Sequence, residues 1–339
     1  MNLLNILAEI EKADPEVYGR LDSRRRVFRH LSGLGGKLAT AAVPFALGSI
    51  FNKAYAGATA TQATVLEVLN YALLLEHLEA TFYNLGTGSI AITSALSANN
   101  VKSLNAIKTD ENNHVAFLRG VITAAPFNAA PVTPAATDFD FTGAQGGSRA
   151  ALFADVLTDP NTFLAVAQAL EDTGVRAYKG SATDLMSNKT VLEAALNIHS
   201  VEARHAARIR TMRRGGLQPA GDRASFAAPG VNLSTAPKSW VSGRDNNGPV
   251  PGTTDAVYGP GTPASGTAAT IFFPAENNVI QAGANISALL TTANITGLAA
   301  TSVAAAASEA FDEPLDMATV KAIARNFVKT GTPTFALLS

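Results

Sequence analysis

The chain has 339 residues, 47% apolar and 16% charged, with a net charge of −1 at pH 7 and no cysteine. That length suffices for one large or two ordinary domains with a sizeable core. Near-neutrality excludes the basic field that a nucleic-acid partner needs, and the lack of cysteine excludes disulfides, iron–sulfur ligation and zinc–thiolate sites, so any metal must be held by His, Asp and Glu.

Residues 23–30, SRRRVFRH, precede a mostly apolar run and the small-residue triplet Ala54-Tyr55-Ala56. Basic region, apolar region and small-residue site are the order of an export signal, and Arg25-Arg26 before Val27-Phe28 is similar to a twin-arginine pattern. Lys37 within the run, and Glu9, Glu11, Asp14 and Glu16 ahead of it, leave an N-terminal helical arm as the alternative for 1–56. Export would place the protein in the periplasm or cell envelope, whereas an uncleaved arm fits the cytoplasm. The glycines, lysine and proline of the run argue against a membrane-spanning helix, so no integral membrane domain is expected.

Four long helices are expected over 57–216, giving an all-α four-helix bundle. The first, about 60–86, repeats apolar residues every three or four positions and stops at Gly86. The second spans about 96–124. A connection rich in Ala, Pro, Thr and Gly, 125–148, suits a long crossover to the far end of the bundle. Asp159-Pro160 caps the third helix with proline just inside it. The fourth, about 188–213, ends in arginines that suit the negative end of a helix dipole and then in Gly215-Gly216.

Residues 217–339 form an extension rich in Gly, Pro, Ala and Thr. It is too long for a loop and, with Phe226, Trp240, Tyr258, Phe272 and Phe273, too aromatic for a linker. We expect it to wrap the bundle or a neighbouring subunit, with a short strand at TIFF (270–273) and a last short helix capped by Asp316. A homo-oligomer formed through this extension or the N-terminal arm follows from that reading.

Two motifs recur. Glu111 and His114, in DENNH, and Glu202 and His205, in VEARH, each form E-x-x-H, which puts both side chains on one helix face. Glu76 with Tyr83, and Glu171 with Tyr178, each form E-x6-Y on the preceding helix. The chain therefore holds two copies of one unit, on apolar helix faces where unpaired ionisable groups are costly. Four carboxylates meeting in one core repel each other and take up protons. Two divalent cations would match four negative charges, and one Glu from each of two helices plus Glu-x-x-His from each of the others is the donor set of a di-metal carboxylate bundle. A proton-sharing carboxylate cluster without metal is the alternative. Glu79, one turn from Glu76, is a second candidate ligand or an outer base; Glu76 is preferred because its spacing to Tyr83 repeats in the third helix. His199, one turn before Glu202, reads as a satisfied helix-face histidine, and His77 and His30 as exposed.

LEHLEATFY, DENNHVAFL and SVEARHAARIR resemble the ferritin-like superfamily over about 60–214, and more narrowly bacterial ferritin-like domain proteins grouped with plant desiccation-related proteins. AFDEPLD, later in the chain, is similar to the same narrower group. The resemblance implies Glu76, Glu111, His114, Glu171, Glu202 and His205 as ligands of two metal ions, with Glu111 and Glu202 bridging both. It also implies that Tyr83 and Tyr178 hydrogen-bond ligating carboxylates. Asp110 resembles the D-E-x-x-H form of the motif and would orient a ligand histidine from the other half; the second copy has Val201 at that position.

Carboxylate and imidazole donors suit iron or manganese rather than copper. Three functions are compatible: a redox enzyme acting on O2, peroxide or Fe2+ in stress protection, as a ferroxidase or a catalase-like or peroxidase-like protein; a storage cage, which the long extension and sparse acidic residues disfavour; and a structural, desiccation- or envelope-type assembly protein whose metals only staple the bundle. Which residues act catalytically is not legible at this level.

Overall fold

The computed structural model describes residues 64–215, 237–243, 245, 254–262, 273–281, 283–292 and 300–339. The expected export segment or arm at 1–56, His30 and most of the TIFF stretch lie outside them.

The fold is all-α. Four long helices make the bundle: α1 (Val65–Gly88), then the single turn α2 (Ile90–Thr93), α3 (Ala98–Thr123), α4 (Pro160–Ser181) and α5 (Lys189–Gly215). Their starts are written locally. Thr64 and Glu67 form a capping box on α1, and Ser97 accepts from the Asn100 amide to open α3. Asp159 accepts from the amides of Asn161 and Thr162, with Pro160 at the first position of α4. The pairs α1–α3 and α4–α5 run antiparallel. Asn84 faces Asn112 while Glu76 faces His114, and Gln168 faces Arg213 while Val175 faces His199.

The crossover, 124–159, is more ordered than its composition implies. A single 3-10 turn (Ala136–Asp138) precedes Phe139, Phe141 and Phe153, all buried. Phe163 stacks on Phe82 with ring centroids 4.6 Å apart, and Phe141 meets Phe82 edge-on. Burying one such ring stabilises by about 1.5–3 kcal/mol. Gly86 makes the stack possible, since a Cβ there would stand 2.1 Å from Phe163 Cε2.

The extension folds onto the bundle. Its helices are α6 (Asp255–Tyr258), α7 (Ile286–Thr292), α8 (Ala300–Ser308), α9 (Met317–Ala324) and α10 (Pro333–Leu337), and a small antiparallel hairpin pairs β1 (Ile280–Gln281) with β2 (Ala284–Asn285). Asp316 caps α9 by accepting from the Thr319 amide, as its position implies. Tyr258, Leu315, Val320 and Phe327 join the same core as Phe82 and Phe163. α4 is consequently buried around nearly its whole circumference, with the bundle on one side and the extension on the other. Residues 312–316 pass so close that a Cβ at Gly180 would lie 1.9 Å from the Leu315 carbonyl oxygen. AFDEPLD thus acquires a place in the fold, clasped to α4.

The arginines closing α5 do more than complement a dipole. Arg210 is fully buried and pairs with Asp172 on α4 and, at 2.5 Å, with Asp245 of the extension. Tyr258 donates to Asp172 at 2.6 Å, and Gln168 donates to Asp245 at 2.6 Å. One turn along α4, Arg176 donates to the carbonyls of Glu313 and Gly259, each at 3.0 Å, and meets Glu276 at 2.9 Å. Burial raises Glu276 to about 8 against the pull of that guanidinium. Buried charges this dense persist only when paired.

Candidate metal centre

Each of the four long helices sends at least one ionisable side chain into the middle of the bundle. Glu76 comes from α1, Glu111 and His114 from α3, Glu171 from α4, and Glu202 and His205 from α5. All four carboxylates are completely buried, and His114 retains 12% side-chain exposure. The Glu-x-x-His spacing works as helix geometry dictates, delivering both members of each pair to one face.

The six side chains fall into two quartets. Donor atoms of Glu76, Glu111, His114 and Glu202 lie within 4.8 Å of one another, and so do those of Glu111, Glu171, Glu202 and His205. Glu111 and Glu202 belong to both. His114 Nδ1 lies 3.1 Å from Glu76, 3.2 Å from Glu111 and 3.4 Å from Glu202. His205 Nδ1 lies 2.7 Å from Glu111 Oε1 and 3.3 Å from Glu171 Oε2.

The approaches of His114 Nδ1 to Glu76 and Glu111 have hydrogen-bond geometry, whereas those of His114 to Glu202 and of His205 to Glu111 and Glu171 do not. Among the described residues, Glu111 Oε1, Glu171 Oε2, both carboxylate oxygens of Glu202 and His205 Nδ1 are buried without a hydrogen-bond partner, even where the distance is short. A buried polar atom left so costs about 1–3 kcal/mol, and natural structures seldom leave several together. Lone pairs converging on one point from oxygen and imidazole nitrogen are what a divalent cation requires, with bonds of about 2.0–2.2 Å placing the donors about 3–4 Å apart. The residues therefore fit metal ions.

Electrostatics agree. Burial lifts the Glu111 carboxyl to about 7 while the imidazoles of His114 and His205 pull it down. Burial, and then the charges of Glu111 and its neighbours, lift Glu202 well above the usual carboxylate range. Burial opposes the charged form of His205, but the carboxylates of Glu171 and Glu111 hold its imidazolium up to about 12. Without a cation the cluster holds protons in its place.

The supporting residues repeat across the two halves. Tyr83 of α1 donates to Glu171 of α4, and Tyr178 of α4 donates to Glu76 of α1. His205 Nε2 lies 3.2 Å from Asp110 Oδ2. Because a carboxylate only accepts, that contact sets a proton on Nε2, so Nδ1 is the nitrogen that would ligate once a cation displaces its proton. Among the described residues His114 has no such partner, since Val201 stands where the second copy would need an acid.

Glu79 is buried but belongs to neither quartet. It stands behind them: a Cβ on Gly174 would lie 3.0 Å from Glu202 Oε2 and 3.4 Å from Glu79 Oε1. His199 is a helix-face histidine with Nδ1 3.0 Å from the Val175 carbonyl. His77 departs from the sequence reading. It is half-buried, with Nε2 enclosed and without a hydrogen-bond partner among the described residues, because α1 is covered on more of its surface than its periodicity shows.

The sequence reading missed the second buried ionic system, Arg210–Asp172–Asp245 and Arg176–Glu276. Asp172 and Arg176 follow Glu171 on a helix with few other charged residues, and that was the available signal; Asp245 and Glu276 carry none.

The family model of the ferritin-like domain matches residues 64–214, so the chain carries a ferritin-like domain over the whole bundle. No curated protein matches the chain, and no solved structure matches it. Among the described residues no helix is long and apolar enough to cross a membrane.

Proposed function

We propose that the protein is an oxidoreductase built on a di-metal carboxylate centre, holding two divalent iron or manganese ions and acting on O2, peroxide or Fe2+ in stress protection. The observation that carries this reading is the pair of buried quartets sharing Glu111 and Glu202. Each quartet offers four protein donors, fewer than the six an octahedral ion takes, and open positions mark reactive rather than closed sites.

Glu76, Glu111, His114, Glu171, Glu202 and His205 would hold the metal, which when bound would supply redox equivalents to an oxidant. The chain does the rest. Tyr83 and Tyr178 fix the rotamers of Glu171 and Glu76 by donating to them. Asp110 holds the His205 ring and its proton. Burial of the four carboxylates excludes water, which strengthens every charge interaction in the site.

That same burial favours a second reading, in which the metals only fasten the bundle of a desiccation- or envelope-type assembly protein. Assays separate the two. Metal-loaded protein should disproportionate peroxide or oxidise Fe2+, and Glu171→Ala should abolish that turnover with a modest loss of stability. Loaded protein without turnover, and a Glu171→Ala variant that loses mainly melting temperature, would support the structural role. Export through residues 1–56 and homo-oligomer formation belong to the same proposal; N-terminal sequencing and the solution mass of host-purified protein test them.

A further inference from the structure

We propose that the end of the bundle beside the metal cluster is a binding site for a small nonpolar molecule, of the size of a substituted benzene ring. A cavity of about 160 Å³ lies between all four long helices. Ala72 and Leu75 of α1, Phe117 of α3, Tyr178 of α4 and Ala195 of α5 are among its walls, which are apolar almost throughout. An apolar cavity of about 150 Å³ stays dry and takes up benzene, because a water molecule needs two to four polar partners. This one matches it in size and in lining.

The cavity is reachable. Phe117 in its wall is 45% exposed, and Thr190, also lining it, is exposed, so it meets the surface between α3 and α5. Small side chains create the space: larger groups at Ala72, Ala194 or Ala195 would fill it. Left empty, these walls forgo the contacts that core packing provides. Tyr71, 5% exposed and part of the wall, has a hydroxyl with no hydrogen-bond partner among the described residues, and it offers a bond to one polar group on the occupant.

The position gives the pocket its meaning. Tyr178 forms part of the wall and donates its hydroxyl to Glu76, so an occupant is one phenol ring from the metal cluster. As a substrate pocket the site rests on the oxidoreductase reading; as a binding site it stands without it.

The test uses the full chain, with and without Mn2+, and fluorobenzene as the probe, followed by fluorine NMR. We expect one saturable site per chain, displaced by toluene, with faster fluorine relaxation in the Mn2+-loaded protein. Ala72→Leu fills the interior and Ala194→Trp the mouth; each should weaken binding by about tenfold or more. The half-buried Ala194 position tolerates change if the interior variant fails to fold. Non-saturable binding, or two folded variants that bind like the parent, would overturn the site. Saturable binding to protein that turns over no oxidant would keep the pocket and reject the oxidoreductase reading. Turnover without saturable binding would do the reverse.

Discussion

The hydroxyl of Tyr178 on α4 donates to the carboxylate of Glu76 on α1, two residues 102 positions apart. Tyr83 does the same for Glu171 in the opposite direction. Each tyrosine is buried and has its ring fixed by neighbours, so Tyr178→Phe and Tyr83→Phe should fold normally while freeing one carboxylate each. Outer partners of metal ligands are worth about 10–100-fold in metal affinity. We expect a loss of that size in either variant, read by competition with a calibrated chelator.

The metal-free protein should lose stability as pH rises from 5 to 8. Glu111 in the folded state titrates near 7, above an unfolded carboxylate, so its contribution is fully present below the unfolded value and is lost as pH rises through 7. His205, held up to about 12, contributes fully below the unfolded imidazole value, and that contribution declines above it. The signs agree. Bound cations replace the protons, so metal-loaded protein should lack this decline. Thermal melts with and without chelator across that range check it.

Arg210→Met should destabilise the protein by about 3–5 kcal/mol, the cost of stranding buried partners of an ion pair. The stranded groups are Asp172 and Asp245, both 3–4% exposed. Because Asp245 ties the extension to α4 and α5, the variant should also expose the stretch around 237–262 to protease sooner than the bundle. Denaturant unfolding and limited proteolysis measure the two effects.

The bundle and its ionisable centre were legible because their signals are local and doubled. Helix caps such as Asp159-Pro160 are read within a few residues, and Glu111 with His114 needs only the pitch of a helix. The choice of Glu76 over Glu79 followed from a repeated spacing, and in the structure Glu76 joins a quartet while Glu79 stands behind it. Partners distant in sequence were not legible. Nothing near Asp245 announces a salt bridge to Arg210, and the half-burial of His77 depends on what covers α1. The extension hid its helices for a related reason: α8 is nine residues of mostly alanine, threonine and serine, with too little periodic contrast to be read.

The central claim is that one pair of carboxylates serves two metal ions, and metal content by mass spectrometry tests it most directly. Protein purified from its native host without added metal should carry two equivalents of iron or manganese. Glu171→Gln, which removes a carboxylate charge from one quartet only, should retain one, whereas Glu111→Gln, which removes a carboxylate charge from both, should retain fewer than one. Folded parent protein without bound metal, or equal losses in the two variants, would contradict the account.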